Sequence, residues 1–216
     1  MTEQVAVESR DGLRLEAEVD EASDPEAALV ICHAHPQLQG TMKSPLLLAI
    51  RDAMVAHGWT VVRFNFRGVG GSAGEFGDGV AEVDDALGAL DFARERAAGS
   101  PVCLAGWSFG GAVALRAASR AGEIVACAVV APSVTPKAGL TAGLPPGAEL
   151  GLGAEVLVVC GSNDDIVSPS ACREWAEAAG ARYEEIPAAN HFFWAKYETV
   201  TDVVSAFLVE NARQRS

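Results

Sequence analysis

Basic residues are scarce in this chain, and their scarcity limits its partners. The 216 residues include 16 Lys and Arg but 29 Asp and Glu, which gives a formal net charge of -13 at pH 7. Nucleic acids and anionic membrane surfaces repel such a charge unless a local basic patch exists, and no run of Lys and Arg forms one. We therefore expect neither a nucleic-acid nor a membrane partner.

Long hydrophobic runs are absent too. No apolar stretch approaches the roughly 20 residues that a membrane-spanning helix requires. The chain begins MTEQVAVESRDG, which lacks the basic segment and apolar core of a secretory signal. These absences predict a cytoplasmic location. The length and the ordinary globular composition predict a single domain over residues 1–216.

Cysteine pairs with metal-binding or disulfide spacing are also missing. The chain has 5 cysteines, of which Cys172 lies in a predicted helix. The other four interrupt apolar, strand-like runs: Cys32, Cys103, Cys127 and Cys160. A cysteine in such a run behaves as a small buried hydrophobic residue. We expect reduced structural thiols, because none has the sequence context of a cysteine nucleophile.

Along the chain, segments whose apolar residues have the spacing of a strand alternate with segments whose apolar residues have the spacing of a helix. Residues 10–12, Arg-Asp-Gly, are typical of a β-hairpin turn between two short strands. Further strands are predicted at 27–35, 59–66, 101–107, 124–132, 155–161 and 181–187, and helices at 44–58, 78–99, 108–122, 168–180 and 197–213. This order predicts an α/β fold, a mostly parallel sheet with an antiparallel N-terminal hairpin and helices on both faces.

One long irregular segment, residues 133–153, follows a predicted strand. It contains Pro136, Pro145, Pro146 and five glycines, which together prevent a continuous helix. We therefore expect no cap domain here and an open or lightly covered site.

The stretch VCLAGWSFGGAVALR places Ser108 where a strand-like run changes directly into a helical one. Gly106 and Gly110 flank it, as in the G-x-S-x-G nucleophile elbow of α/β-hydrolases. The alternative is a glycine-rich turn with an incidental serine. A serine nucleophile requires a histidine base and a carboxylate that orients it, and in α/β-hydrolases these follow in the order Asp or Glu, then His.

Later strand ends supply both residue types in that order. Asp164 and Asp165 follow the apolar run EVLVVCG, and His191 follows the last predicted strand. Taken alone, the acidic pair is typical of a solvated turn. Taken alone, His191 is typical of a structural histidine beside aromatic neighbours. Because the carboxyl ends of parallel strands meet at one edge of a sheet, their joint occurrence with Ser108 predicts a catalytic Ser108, Asp164 and His191.

Two backbone N–H groups would have to stabilise the oxyanion of such a reaction. The residue after the nucleophile, Phe109, is expected to donate the first. For the second we favour Gln37, which directly follows Pro36, a residue without an N–H; Leu38 is the alternative.

Two histidines, His33 and His35, lie at the same early strand exit. They could brace the oxyanion loop through hydrogen bonds. A metal site is the alternative interpretation, although no third ligand is suggested nearby. We expect no metal and no organic cofactor.

The segments CHAHPQLQGTM, FNFRGVGGSAGEF, GWSFGG, GSNDDIVSP and NHFF cover much of the chain. Together they resemble the small, lidless bacterial α/β-hydrolases related to dienelactone hydrolase and to serine aminopeptidase-like esterases. The resemblance implies the α/β-hydrolase fold and favours Asp164 over Asp165 as the carboxylate.

The chain departs from that group at two positions. Gln39 stands where the group tends to have a glycine, and Trp107 is bulkier than the common Tyr or His. We expect both to contribute to substrate binding. Arg67, in the second segment, is expected to brace a loop.

The predicted function is a serine hydrolase of carboxylesterase type that cleaves small soluble acyl esters through an acyl-enzyme intermediate. A thioesterase or a peptidase would use the same groups. An interpretation of a different class is a small-molecule receptor with a hydrolase-like pocket and incidental turnover.

Overall fold

The computed structural model describes residues 2–97 and 99–214. Its eight strands are β1 (Thr2–Glu8), β2 (Arg14–Asp20), β3 (Ala28–Cys32), β4 (Thr60–Phe64), β5 (Val102–Trp107), β6 (Ala126–Val130), β7 (Glu155–Gly161) and β8 (Arg182–Ile186). Its five α-helices are α1 (Pro45–Ala56), α2 (Glu82–Arg96), α3 (Phe109–Ala118), α4 (Pro169–Ala179) and α5 (Tyr197–Arg213).

All eight strands belong to one sheet, in the order β1-β2-β4-β3-β5-β6-β7-β8. β1 and β2 pair as an antiparallel hairpin, and β2 pairs antiparallel with β4. The remaining six strands, β4-β3-β5-β6-β7-β8 in sheet order, are parallel to one another. The predicted fold class is confirmed.

Helices cover both faces of the sheet. On the central strand β3, Leu29 and Ile31 pack on the side of α1 and α5, whereas Val30 and Cys32 pack on the side of α2, α3 and α4. All the residues of β3 are buried. This arrangement explains why the strand is continuously apolar instead of alternating with polar residues. The five cysteines are buried and free, as expected.

Helix α2 begins later than the sequence pattern predicts. The prediction places its start at residue 78, whereas the helix begins at Glu82. The Glu82 carboxylate accepts hydrogen bonds from the N–H groups of Gly77 and Gly79, at 2.7 and 2.8 Å. Asp78 between them has a φ of 57°, which no α-helix accommodates. The predicted end, residues 97–99, includes Ala98, which lies outside the described residues.

The segment 133–153 follows β6 as an extended loop that holds one 3₁₀ turn, Gly147–Glu149. The guanidinium of Arg116 donates to the carbonyl of Gly143 at 2.7 Å, and the indole of Trp175 donates to the carbonyl of Pro145 at 2.9 Å. These bonds hold the loop against α3 and α4, and within the described ranges the segment forms no cap. In residues 2–97 and 99–214, no helix has the length and apolar character needed to cross a bilayer.

Candidate active site

Ser108 lies at the sharp corner between β5 and α3. Its φ is 57° and its ψ is -117°, a backbone conformation that residues other than glycine rarely adopt. A Cβ on Gly106 would overlap the Gly110 carbonyl, and a Cβ on Gly110 would overlap the carbonyls of Cys32 and His33. The two glycines therefore allow the corner to fold tightly and the loop after β3 to pack against it.

The structure brings Ser108, His191 and Asp164 together. Nε2 of His191 lies 3.0 Å from Oγ of Ser108, and Nδ1 of His191 lies 2.8 Å from Oδ2 of Asp164. All three residues are buried, with exposed fractions of 7%, 4% and 8% for Ser108, His191 and Asp164. This is the geometry in which an imidazole can take the hydroxyl proton while a carboxylate holds its other nitrogen.

The carboxylate of Asp164 is fixed at both oxygens. While Oδ2 faces His191, Oδ1 accepts hydrogen bonds from the N–H groups of Ile166 and Val167 at 2.9 and 2.8 Å. The neighbouring Asp165 is exposed. The carboxylate that contacts His191 is therefore that of Asp164 and not that of Asp165, as the resemblance implies.

His33 and His35 brace the loop after β3. Nε2 of His33 accepts from the N–H of Phe66 at 3.0 Å, so its Nδ1 carries the proton and donates to the carbonyl of Ala34 at 2.6 Å. Burial lowers the pKa of His33 from 6.5 to about 4. Nδ1 of His35 accepts from a backbone N–H, so its Nε2 donates to the carbonyl of Leu140 at 2.7 Å. Each ring therefore uses both nitrogens for backbone contacts.

The predicted second oxyanion donor is engaged elsewhere. The N–H of Gln37 donates to Nδ1 of His35 at 3.1 Å, and the N–H of Leu38 donates to the carbonyl of His35 at 3.1 Å. The cause is the 3₁₀ turn Pro36–Leu38, whose N-cap is His35. In the sequence, Pro36 was the signal that could have predicted this turn, because proline is common at the first position of a helical turn. Within the described part of the chain, the N–H of His35 has no hydrogen-bond acceptor.

The two residues expected to bind substrate lie on different elements, Gln39 in the loop after β3 and Trp107 at the end of β5. Gln39 is exposed and has a φ of 65°, a left-handed conformation that explains why a glycine would be unstrained there. Trp107 is 8% exposed; its ring lies 6.0 Å from the His191 ring, and its Nε1 donates to the His191 carbonyl at 3.2 Å.

The loop 65–72 supports the site without entering it. Oδ1 of Asn65 accepts from the N–H of Met42 at 2.9 Å. Arg67 donates to Asp85 at 2.7 Å and to Asp11 at 2.9 Å, and its guanidinium is nearly buried. Arg67 therefore braces the loop, in agreement with the expectation.

Two cavities differ in their relation to Ser108. The smaller, of about 320 Å³, borders the loop after β3, and its lining includes Pro36 and Phe76. The larger, of about 900 Å³, is lined by residues such as Pro101 and Val125, where β5 and β6 begin. It therefore lies at the opposite edge of the sheet and takes no part in the Ser108 site.

Sequence reasoning missed two aromatic residues beside His191. Phe192 and Trp194 are 38% and 66% exposed, and their rings stack on each other with centroids 5.1 Å apart. The run HFFW was the only sequence signal, and it does not distinguish exposed rings from buried ones.

Comparisons with known proteins agree with this architecture. Residues 23–153 match the family described as serine aminopeptidase, S33. An uncharacterized protein of Rickettsia prowazekii is 30% identical over 210 residues, which cover 91% of this chain and 84% of that protein.

Two solved structures are also similar. One, from Xanthomonas campestris, is described as an α/β serine hydrolase without a lid; it is 28% identical with a TM-score of 0.80, covering 95% of this chain and 92% of that chain. The other is Est1E from Butyrivibrio proteoclasticus with bound ferulic acid, 20% identical with a TM-score of 0.82, covering 96% of this chain and 98% of that chain. At this identity, the second structure establishes likeness of fold alone.

Proposed function

The chain belongs to the serine aminopeptidase S33 family of small, lidless α/β-hydrolases, and we propose that it is a serine carboxylesterase that cleaves small acyl esters through an acyl-enzyme intermediate. One observation carries the proposal. The Ser108 hydroxyl lies 3.0 Å from Nε2 of His191, while Asp164 lies 2.8 Å from the other ring nitrogen.

In the first half of the reaction, Oγ of Ser108 attacks the acyl carbon and His191 takes its proton. Asp164 keeps the proton of the neutral ring on Nδ1 and stabilises the imidazolium that forms. His191 then gives its proton to the leaving alcohol oxygen as the carbon–oxygen bond breaks. In the second half, His191 activates a water molecule that attacks the acyl carbon and releases the carboxylic acid and Ser108.

The oxyanion donors in this proposal are the N–H groups of Phe109 and His35. Phe109 is the first residue of α3, and the first N–H groups of a helix have no acceptor within it. The N–H of His35 takes the place expected of Gln37, whose N–H bonds to the His35 ring. The close packing of Gly110 on the His33 carbonyl brings this loop beside Ser108, and the rings of His35 and Phe109 lie 5.0 Å apart.

Ester cleavage requires no group beyond those that the site and the solvent supply. Water suffices as the second substrate, and His191 carries every proposed proton transfer while Asp164 orients it. The ferulic acid bound to Est1E is a carboxylic acid, the product class of ester hydrolysis, on the same fold. The family description supports a peptidase as a second candidate. In that case the same steps would release an amine.

The experiment combines active-site labelling with a substrate panel. We expect a fluorophosphonate probe to label the parent protein and not Ser108→Ala. The substitution is expected to lower kcat on short p-nitrophenyl esters by roughly a millionfold, because the three residues act as a unit. Ser119→Ala, at the end of α3, is the matched control and retains labelling and activity.

The same panel includes acyl thioesters and aminoacyl p-nitroanilides. Faster turnover of the anilides than of the esters would favour the peptidase. Unchanged labelling and hydrolysis in Ser108→Ala would overturn the assignment of the nucleophile.

A further inference from the structure

Exposed apolar side chains concentrate around Ser108. Within residues 2–97 and 99–214, the large hydrophobic residues that are clearly exposed are Leu38, Val55, Val80, Ile166, Phe192 and Trp194. All except Val55, which lies in α1, belong to loops that follow the parallel strands β3, β4, β7 and β8. These loops meet at the edge of the sheet that carries Ser108, so this edge, the rim of the site, holds five of those six exposed apolar side chains.

Two residues of this rim, Phe192 and Trp194, form a stacked pair, which we call the aromatic platform. Their rings are nearly parallel, with an interplanar angle of 15° and centroids 5.1 Å apart. Both rings remain substantially in contact with solvent, 38% exposed for Phe192 and 66% for Trp194. Two large aromatic faces are thus presented outward beside a buried active site.

The backbone holds the aromatic platform in this position. Phe193, between the two residues, is fully buried in the core beside α1 and α5. Its N–H donates to the Asn190 carbonyl at 3.1 Å, and the N–H of Phe192 donates to Oδ1 of Asn190 at 3.1 Å. Phe193 and Ala195 have φ values of 53° and 60°, an unfavourable conformation that local packing maintains. The exposed rings are therefore preorganised.

The aromatic platform adjoins the ring of His191, whose Nε2 serves the leaving group in the proposed function. The Phe192 ring lies 5.6 Å from the His191 ring and perpendicular to it, and 6.3 Å from the Trp107 ring. In the proposed function, Nε2 of His191 gives its proton to the leaving alcohol oxygen. That oxygen must come within hydrogen-bond distance of Nε2, so the alcohol part of the substrate lies beside the His191 ring, next to which the Phe192 ring is placed.

We propose that Phe192 and Trp194 form a leaving-group subsite that stacks on an aromatic ring, and that the substrates are esters of aryl or arylalkyl alcohols. This inference rests on the proposed esterase function. Aromatic rings gain stability from stacked or edge-to-face contacts beyond simple burial, by about two- to tenfold in an equilibrium or rate ratio. Such contacts distinguish an aromatic ring from a saturated ring of similar size.

The test compares kcat/KM for benzyl acetate and cyclohexylmethyl acetate. Both esters carry the same acyl group and a primary alcohol, so a change in their ratio between the parent and a variant reports recognition of the ring. We expect the parent to prefer the benzyl ester by about tenfold. Trp194→Leu keeps an apolar side chain but removes the more exposed of the two aromatic rings, and it is expected to lower the ratio toward one; Trp194→Phe retains most of the preference.

Val55→Ala is the matched control, because Val55 is an exposed apolar residue remote from the loops around Ser108. It is expected to keep the parent ratio. Because Trp194 is 66% exposed, circular dichroism and thermal unfolding should show native folding of both Trp194 variants.

The outcomes separate this inference from the proposed function. Ser108-dependent hydrolysis of both esters with a ratio near one in the parent would overturn the leaving-group subsite and leave the esterase standing. An unchanged ratio in Trp194→Leu would do the same. If no ester is hydrolysed in a Ser108-dependent way, both the function and the inference fail.

Discussion

At the scale of single residues, the candidate site depends on how completely its polar atoms are hydrogen-bonded. Asp164 uses one carboxylate oxygen for His191 and the other for two backbone N–H groups. Buried polar groups that are fully hydrogen-bonded hold their positions, whereas a partner left unsatisfied is costly. The alignment of His191 therefore depends on the charge and on the acceptor atoms of Asp164.

This dependence predicts the effect of Asp164→Asn. The amide keeps the shape of the side chain, but its NH₂ group can face Nδ1 and favour the wrong tautomer of His191. By the general behaviour of such triads, kcat on a p-nitrophenyl ester should fall by about four orders of magnitude.

The matched control is Asp165→Asn, which changes the exposed neighbour. It should leave kcat close to that of the parent. Equal losses in both variants, measured by steady-state kinetics, would contradict the assignment of Asp164.

At the scale of elements, the loop after β3 is held by contacts that are distant in sequence. Nε2 of His35 donates to the carbonyl of Leu140, which belongs to the loop after β6, at 2.7 Å. The other nitrogen accepts from the 3₁₀ turn that follows. One side chain thus fixes the turn on which the proposed oxyanion N–H lies.

His35→Ala removes both contacts while leaving the backbone N–H of residue 35 in place. We expect the loop to lose its fixed position, which lowers kcat by roughly a hundredfold with little change in KM, because the lost interaction belongs to the transition state. The measurement is kcat and KM on a short-chain ester.

Two variants make this prediction specific. His35→Gln retains an acceptor and a donor and should recover part of the loss. His57→Ala, at the exposed end of α1, should behave like the parent. A loss confined to KM in His35→Ala would indicate a role in substrate binding instead.

At the scale of the whole molecule, the fold brings the loops that follow six parallel strands to one edge of a single sheet. Both faces of the sheet are covered, so the strand ends are the places where polar groups reach the surface. His33 is an exception, since it is fully buried beneath the loop and accepts a hydrogen bond from Phe66 after β4. Its ionisation is therefore coupled to global unfolding.

The pKa of His33 is lowered by burial to about 4, below its ordinary value of 6.5. Between these values the unfolded chain binds the proton more readily than the folded protein does. This contribution to the free energy of unfolding is fully present above pH 6.5 and is lost as the pH falls toward 4, by roughly 3 kcal/mol.

The measurement is the free energy of unfolding in urea from pH 7 to pH 4. His33→Gln keeps a donor and an acceptor without titrating in this range, so its stability should fall less steeply than that of the parent. His57→Gln, which alters an exposed histidine, should follow the parent curve. Identical slopes for the parent and His33→Gln would disprove the coupling.

The sequence by itself determined the elements and the order of the reactive residues. Apolar periodicity and turn residues act over a few positions, so the alternation of strands and helices could be predicted. Ser108, Asp164 and His191 could be predicted because each lies directly after a strand, and parallel strands end at one edge. The start of α2 shows the limit of such local patterns, because it was predicted four residues too early. In the structure, the N–H groups of two glycines donate to the Glu82 carboxylate where the first helical turn was expected.

Only the tertiary structure decided which N–H groups and which rings are available. The N–H of Gln37 was predicted to face the oxyanion, but a turn anchored by His35 to a carbonyl 105 residues away gives it another partner. Three consecutive aromatic residues, Phe192, Phe193 and Trp194, cannot be distinguished by residue type. In the structure only the middle ring is buried, and the outer two face solvent. Exposure and hydrogen-bond partners depend on packing between distant segments, which local patterns do not encode.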